Sequence, residues 1–481
     1  MEMNSSLVWI IVFMTALVFC IIFLHGKGKG KSKSLGSKTL CQLPLGTLGW
    51  PFLGETIDFI SCAYSDRPET FMDRRRRLYT FFSRPYLMYG KVFKSHIFGT
   101  PTIVSTDAEV SRFVLQSDAK AFVPFYPKSL TELMGKSSIL LINGSLQRKI
   151  HGLIGSFFKS PHLKDQITRD MQIYVQQAMD KWRDDQPIFI QDETKTIAFQ
   201  VLVKALISLN PGEEMELLKK QFREFISGLM SLPVKAKKRM VNTVQKIIQS
   251  RRNCSRSSMV PGDVVDVLLK DASELLTDDL IAGNMIDMMI PGEDSVPVLM
   301  TLAIKYLSDS PAALHQLTEE NLKLKRLKAQ NGESLIWSDY LSLPFTQSVI
   351  TETLRMGNVI IGVMRKAMKD IEIKGYLIPK GWCFFAYFRS VHLDENYYDW
   401  PYQFNPWRWQ EKDIISSYNF TPFGGGQRLC PGLDLARLEA SIFLHHFVTS
   451  FRWVAEEDTI INFPTVRMKK RMPVWVKARG D

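Results

Sequence analysis

Cys430 stands in the run Phe423-Gly-Gly-Gly426-Gln-Arg428-Leu-Cys430-Pro-Gly432, and residues at helical spacing, Leu433 to Phe451, follow it at once. Glycine adopts positive φ and adds no side chain, so a loop of this composition brings its backbone close to a bound group. The start of the following helix offers unpaired N–H groups and a positive dipole end, which lower a thiol pKa and stabilise thiolate. A thiolate so placed is a metal ligand or a nucleophile. Arg428, two residues ahead, is placed to meet an anionic part of whatever the thiolate binds. An inert buried thiol in a glycine-rich turn is the alternative for a lone cysteine, and the full ten-residue pattern weighs against it.

Three further groups have chemistry in their spacing. Glu352-Thr-Leu-Arg355 puts a carboxylate and a guanidinium on one helix face at i, i+3, a spacing that is common on solvated helices when it stands alone. Phe404-Asn-Pro406-Trp-Arg408-Trp409 follows about 50 residues later. Pro291-Gly292-Glu293-Asp294-Ser295 lies inside a long helical stretch and carries two carboxyls and a hydroxyl; Pro291 and Pro297 each remove a helix hydrogen bond and favour a kink. His445-His446 reads as a helix-packing pair.

In this order the motifs resemble those of the cytochromes P-450, whose haem-binding signature F-x-x-G-x-R-x-C-x-G the cysteine loop matches. The resemblance implies haem b with the Cys430 thiolate as axial iron ligand, and Phe423, Gly426, Arg428 and Gly432 in the cofactor loop. It implies propionate partners in Arg428, in Arg365 of VMRKA, and in Gln147 and His151, where tryptophan and arginine are usual. Glu352, Arg355 and Arg408 become a buried structural triad. In the A-G-x-D/E-T-like run, Gly292 opens a groove over the haem, Glu293 holds the variable place, Asp294 relays protons and Ser295 replaces threonine as hydroxyl donor. Segments implied to line the substrate pocket contribute Phe122, Phe125, Tyr126, Met288, Met289, Val359, Ile360, Ile361, Val363 and Phe463, an apolar wall with few polar anchors.

Within that family the chain is most similar to the plant brassinosteroid-synthesising branch, through GKSSILLINGS, FISGLMSLP, MIDMMIPG, SLPFTQSVITETLRMGN and FNPWRWQ. DSVPVL and GNVIIGVMRKAM look most like steroid C-23 hydroxylases. The implied reaction is hydroxylation of a steroid side chain with O2. Its electrons come from NADPH through NADPH–cytochrome P-450 reductase, since the chain itself shows no Rossmann fingerprint and no flavin domain. A C-22 or other sterol or terpenoid hydroxylase of the branch, a peroxide-rearranging haem-thiolate enzyme and a catalytically impaired variant are the alternatives. The last arises because TFFSRPYLM, ahead of Tyr89, looks inserted and about a dozen residues of the family's connection between Leu232-Pro233 and Ala236-Lys237 look absent; surface insertions cost little.

These groups need a frame. The chain has 481 residues, 45% of them hydrophobic, enough for a large core and outside the disordered, collagenous and disulfide-rich classes. Its six cysteines form no C-x-x-C pair and no zinc spacing. Alternating β-branched and aromatic residues predict short strands in Lys91–Ser105 and Ile371–Phe385. Helical spacing predicts helices in Gln147–Phe158, Gln166–Trp182, Met215–Met230, Leu280–Leu307, Leu343–Arg355 and Leu433–Phe451. The expected fold class is α+β, predominantly helical, with a small β-sheet region; the resemblance makes it a cytochrome P-450 fold with an N-terminal transmembrane anchor helix.

Leu7 to Leu24 runs 18 residues without a charge, which as a helix spans about 27 Å, enough to cross a bilayer. No small-x-small cleavage site precedes the lysines that follow, so an uncleaved anchor is expected rather than a signal peptide. Lys27, Lys29, Lys31, Lys33 and Lys38 after it, against Glu2 before it, put the bulk of the chain in the cytosol as a single-pass protein of the endoplasmic reticulum membrane. The sequons at Asn143, Asn253 and Asn419 then have no consequence. The expected division is an anchor with a luminal tail over 1–26, a basic and Pro/Gly-rich hinge over 27–55, and a haem-thiolate monooxygenase domain over 56–481. A net charge of +12 favours an anionic partner; the membrane surface and the reductase's acidic face suit it, and nucleic acid is not expected.

Overall fold

The computed structural model describes residues 41–50, 53–76, 89–227, 234–253, 260–271, 275–410 and 419–480. The expected anchor, TFFSRPYLM and the residues up to Pro233 of the shortened connection lie outside them. Among the described residues no helix is long and apolar enough to cross a membrane. Contacts divide the chain into two units, Met1–Gln42 and Leu43–Asp481. Within the second unit the Leu45 carbonyl accepts the Lys94 N–H at 2.9 Å, and Gly46 pairs alongside Lys94. Gly46 sits at φ +141°, where a Cβ would stand 2.2 Å from the Lys94 oxygen, so only glycine lets the segment lie against the strand.

That strand, β1 (Val92–Ile97), turns back into β2 (Thr100–Ser105) through Phe98 and Gly99, whose φ values of 53° and 72° suit a hairpin turn matching the right-handed twist of its strands. With β3 (Phe122–Pro124), β4 (Gly362–Ala367) and β5 (Cys383–Tyr387) they form a five-stranded sheet of order β1-β2-β5-β4-β3. Only β2 and β5 run parallel, Thr102 opposite Cys383. Every residue of β5 is buried, because apolar clusters cover both faces of the sheet. β3 is three residues long and β4 carries two charges without alternation, so neither had a strand pattern to read.

The six expected helices are present as Gly144–Lys159, Pro161–Met179, Glu213–Ser227, Asp278–Ser308, Pro344–Gly357 and Leu433–Ser450. Ile190–Ile207 was not anticipated. It buries Ile190, Thr194, Ile197, Ala198, Phe199, Val201, Val203 and more, and a helix covered on nearly all sides shows no apolar stripe. Val234–Asn253 fails to stand out for the opposite reason: its buried apolar residues are Ala236, Met240, Val244 and Ile248, one per turn amid charge.

The central helix, Asp278–Ser308, is capped by Thr277, whose hydroxyl accepts from the Leu280 N–H at 3.3 Å, and runs on through Pro291 and Pro297. Its main neighbour is Ile190–Ile207, joined by a Thr194–Thr301 hydroxyl contact of 3.1 Å and by Thr194 donating to the Pro297 carbonyl at 3.3 Å. The Pro344–Gly357 helix has no side-chain cap of its own at Leu343. Glu320, from the Pro311–Asn331 helix, supplies one: it accepts from the N–H groups of Phe345 and Thr346, each at 2.8 Å, and from the Thr346 hydroxyl at 2.7 Å. Glu320→Ala should therefore lower stability by about 1–2 kcal/mol, the worth of a lost cap, seen as earlier thermal loss of helical circular dichroism; an unchanged midpoint would show that water replaces the carboxylate at no cost.

Candidate active site

The ends of the cysteine loop are tied by the Cys430 N–H donating to the Phe423 carbonyl at 3.1 Å, with a short 3-10 turn, Gly426–Arg428, between them. Gly426 sits at φ +65°, and a Cβ there would stand 2.0 Å from the Leu115 oxygen; conformation and space both demand glycine. Gln147 and His151, one turn apart on Gly144–Lys159, hold the loop from the other side. Gln147 Nε2 donates to the Gln427 carbonyl at 3.2 Å, and His151 Nε2, as an N–H, to the Leu429 carbonyl at 2.8 Å. Both polar tips thus meet loop carbonyls, and Gln147 also lines the adjoining cavity.

The thiol also departs from expectation. Burial pushes Cys430 above its ordinary 9.0, and the backbone hydrogen bond from Gly432 pulls it down only in part, so the helix start does not by itself produce thiolate. A bound metal cation does, since a coordinating thiol is deprotonated outright.

Beside the loop, a cavity lined by Leu115, Phe122, Gln147, Gln427, Arg365 and Arg428 holds two guanidiniums. Arg365, on β4 opposite Phe384, donates to its neighbour's carbonyl, Met364, at 3.0 Å. Arg428 donates to the carbonyls of Ile139 at 3.3 Å, Leu140 at 3.4 Å and Ile142, and to Asn143 Oδ1 at 3.0 Å. Burial and then the charge of Arg365 bring Arg428 down to about 10, with Tyr126 opposing. Burial likewise lowers Arg365. Among the described residues neither arginine is paired with a carboxylate. Two half-buried like charges next to a thiol fit a group that brings a metal and two carboxylates, as haem b does.

Farther from the loop the opposite regime holds. Glu352 and Arg355 have no exposed surface and Arg408 has 6%. Arg355 grips Glu352 through Nε and Nη2 at 2.8 and 2.7 Å, Arg408 Nε reaches Oε1 at 3.1 Å, and the Asn405 N–H and Trp409 Nε1 complete the shell at 3.0 and 2.9 Å. Asn405 and Trp409 were not singled out from sequence, although both flank Arg408.

On the central helix, Asp294 Oδ1 takes the Lys195 ammonium at 2.6 Å, with Glu293 3.9 Å from the same nitrogen. Ser295 donates to the Pro291 carbonyl at 2.6 Å. Lys195 had no local signal in the sequence. At Gly292 a Cβ would stand 2.4 Å from Leu202 Cδ2, so its bare backbone lets the Ile190–Ile207 helix lie close.

The expected pocket residues scatter. Phe122 and Met289 are buried in apolar clusters, and Phe122 also lines the cavity beside the two arginines. Met288, Val359 and Ile361 are half-buried against the main cluster, Val363 against the sheet, and Phe463 against the third cluster, while Ile360 is exposed. The Phe125 N–H donates to Met364 at 3.1 Å, which sets Tyr126 beside the two arginines.

Two outcomes follow from this geometry. Gly426→Ala should displace the loop and abolish the carbon monoxide difference spectrum, and a spectrum of normal size would show that Leu115 yields. Burial, with Asp294 adding and Lys195 opposing, raises Glu293 from 4.5 to about 7. The folded chain therefore holds more protons than the unfolded one between those values, and stability falls as pH rises through that window. Glu293→Gln should flatten the fall; parallel unfolding curves for variant and parent would refute it.

Residues 187–472 match the family model described as Cytochrome P450. The Arabidopsis thaliana 3-epi-6-deoxocathasterone 23-monooxygenase CYP90D1 is 67% identical over 91% of this chain and 90% of its own length. The Arabidopsis thaliana 3-epi-6-deoxocathasterone 23-monooxygenase CYP90C1 is 53% identical over 92% and 85%. A 3beta,22alpha-dihydroxysteroid 3-dehydrogenase of the same plant is 42% identical over 91% and 93%. Among solved structures, the retinoic acid bound cyanobacterial CYP120A1 superposes with a TM-score of 0.77, covering 91% of this chain and 100% of that one, at 21% identity, a likeness of fold. Thiol loop, arginine pair, buried triad and these similarities agree: the chain belongs to the cytochrome P450 family.

Proposed function

We propose that the protein hydroxylates C-23 in the side chain of a plant steroid, in brassinosteroid biosynthesis. The observation that carries this reading is similarity along nine-tenths of the chain to two 23-monooxygenases, at 67% and 53% identity. When bound, haem supplies oxygen activation, with electron density pushed from the Cys430 thiolate to favour O–O cleavage. Arg365 and Arg428 would hold its propionates. In this reading the Ser295 hydroxyl leaves the Pro291 carbonyl to hand on a proton, and Asp294, once Lys195 moves aside, takes a proton from water and passes it to Ser295. A peroxide-rearranging enzyme would need no such acid and alcohol.

NADPH and NADPH–cytochrome P-450 reductase supply the electrons in this proposal, on a chain anchored by Leu7–Leu24 in the endoplasmic reticulum membrane with residues 56–481 in the cytosol. The test is the full chain with reductase, NADPH and a C-22-hydroxylated steroid. A product with one added oxygen placed at C-23 by fragmentation is expected; oxygen at another carbon, or no product from a protein with a normal carbon monoxide spectrum, would overturn the assignment. Cys430→Ala should lose both product and thiolate-specific band.

A further inference from the structure

Lys237 lies four positions into the Val234–Asn253 helix, far in sequence from both the cysteine loop and the central helix. Its ammonium nevertheless joins three elements. It donates to Asp287 Oδ1 on the central helix and to the Met134 carbonyl, each at 2.7 Å, and to the Leu133 carbonyl at 3.4 Å. The last two carbonyls end the short Lys128–Met134 helix, where backbone acceptors lack helical partners. The Asp287 side chain is 1% exposed and that of Lys237 13%.

The segment that follows Met134 is held to the same face of the central helix. Ser138 is buried and hydrogen-bonds to the Asp287 carboxyl. Asn284, one turn before Asp287, accepts from the Ile139 N–H at 2.5 Å and donates to the Ser137 carbonyl at 3.3 Å. A turn closed by the N–H groups of Leu141 and Ile142 on the Ser138 carbonyl, at 2.8 and 2.9 Å, then aims the carbonyls of Ile139, Leu140 and Ile142 at Arg428.

We propose that Lys237 is a positioning residue for the haem-binding arginine: by fixing Asp287 and the 133–143 segment it sets the carbonyl cradle that aims the Arg428 guanidinium. The argument rests on the reading of Arg428 as a propionate partner. Without the ammonium, Asp287 is left as a buried carboxylate lacking its cation, which is strongly unfavourable. The segment must then move or Asp287 must take up a proton, and either change loosens the hold on Arg428.

The test is the rate at which full-length holoprotein gives up haem to excess apomyoglobin, a readout independent of steroid. Lys237→Met should speed release by about fivefold, a coupling of the size found between residues in one network. Asp287→Asn should act alike, and the two together should do no more than either alone. The decisive arm is the Arg428→Gln background, where Lys237→Met should add nothing, because the arginine through which it works is gone. Acceleration by the same factor in both backgrounds, or none in the parent, would overturn the proposal. If Arg428→Gln does not retain haem, Arg428→Lys, which keeps the charge but loses the fork, serves as the background with the same two outcomes.

Discussion

A single carboxylate, Glu352, is the point from which the proximal half of the molecule is hung. It has no exposed surface, and a buried charge is tolerated only when paired and fully hydrogen-bonded; five donors from four residues meet that requirement. Arg355 passes the constraint on. Its Nη1 donates to the His392 and Pro401 carbonyls at 2.9 and 2.8 Å. His392 in turn accepts the Thr421 N–H at Nε2, 3.1 Å away, two residues before Phe423, and shares Nδ1 with Asn358 at 2.7 Å. Burial, with Arg355 and Arg389 adding, holds His392 down to about 3. The ring stays neutral, so the acceptor that anchors the approach to the cysteine loop is present at any ordinary pH.

The molecule thus keeps two opposite arrangements of charge, one buried and one half-buried. Around Glu352 every lone pair is used and the geometry is closed. Around Arg365 and Arg428 positive charge is concentrated without a carboxylate among the described residues, and burial works against both. The first arrangement builds a platform; the second is complementary to an anion and becomes favourable when one arrives, as binding to the folded state alone always stabilises it. The cysteine loop lies between them, tied on one side through His392 and on the other through Gln147 and His151.

Much of this was legible because the chemistry is local. The glycines, Arg428 and Cys430 occupy ten consecutive residues, Glu352 and Arg355 share a helix turn, and the amphipathic helices announce themselves by period. What escaped is of another kind. Glu320 caps a helix that begins 24 residues later, Lys195 reaches a carboxylate 99 residues away and Lys237 one 50 residues away, and no pattern in a linear window records such meetings. The Ile190–Ile207 helix escaped because burial on all sides erases the contrast that periodicity needs. For Cys430 the sequence displays the N–H groups of the helix start but not the desolvation that folding adds, which is the larger of the two effects. The meeting of Gly292 with Leu202, 90 residues away, is another contact that no linear window records.

The Gly292–Leu202 contact also constrains how this protein is free to change over time. With 2.4 Å between Leu202 Cδ2 and the place of a Cβ, a methyl group at 292 requires the end of the half-buried Leu202 side chain to turn aside. A smaller residue at 202 removes that demand and leaves a void in its place. The two sites are therefore coupled: what alanine costs at 292 depends on what stands at 202, and the order in which a lineage changes them alters the cost of each step.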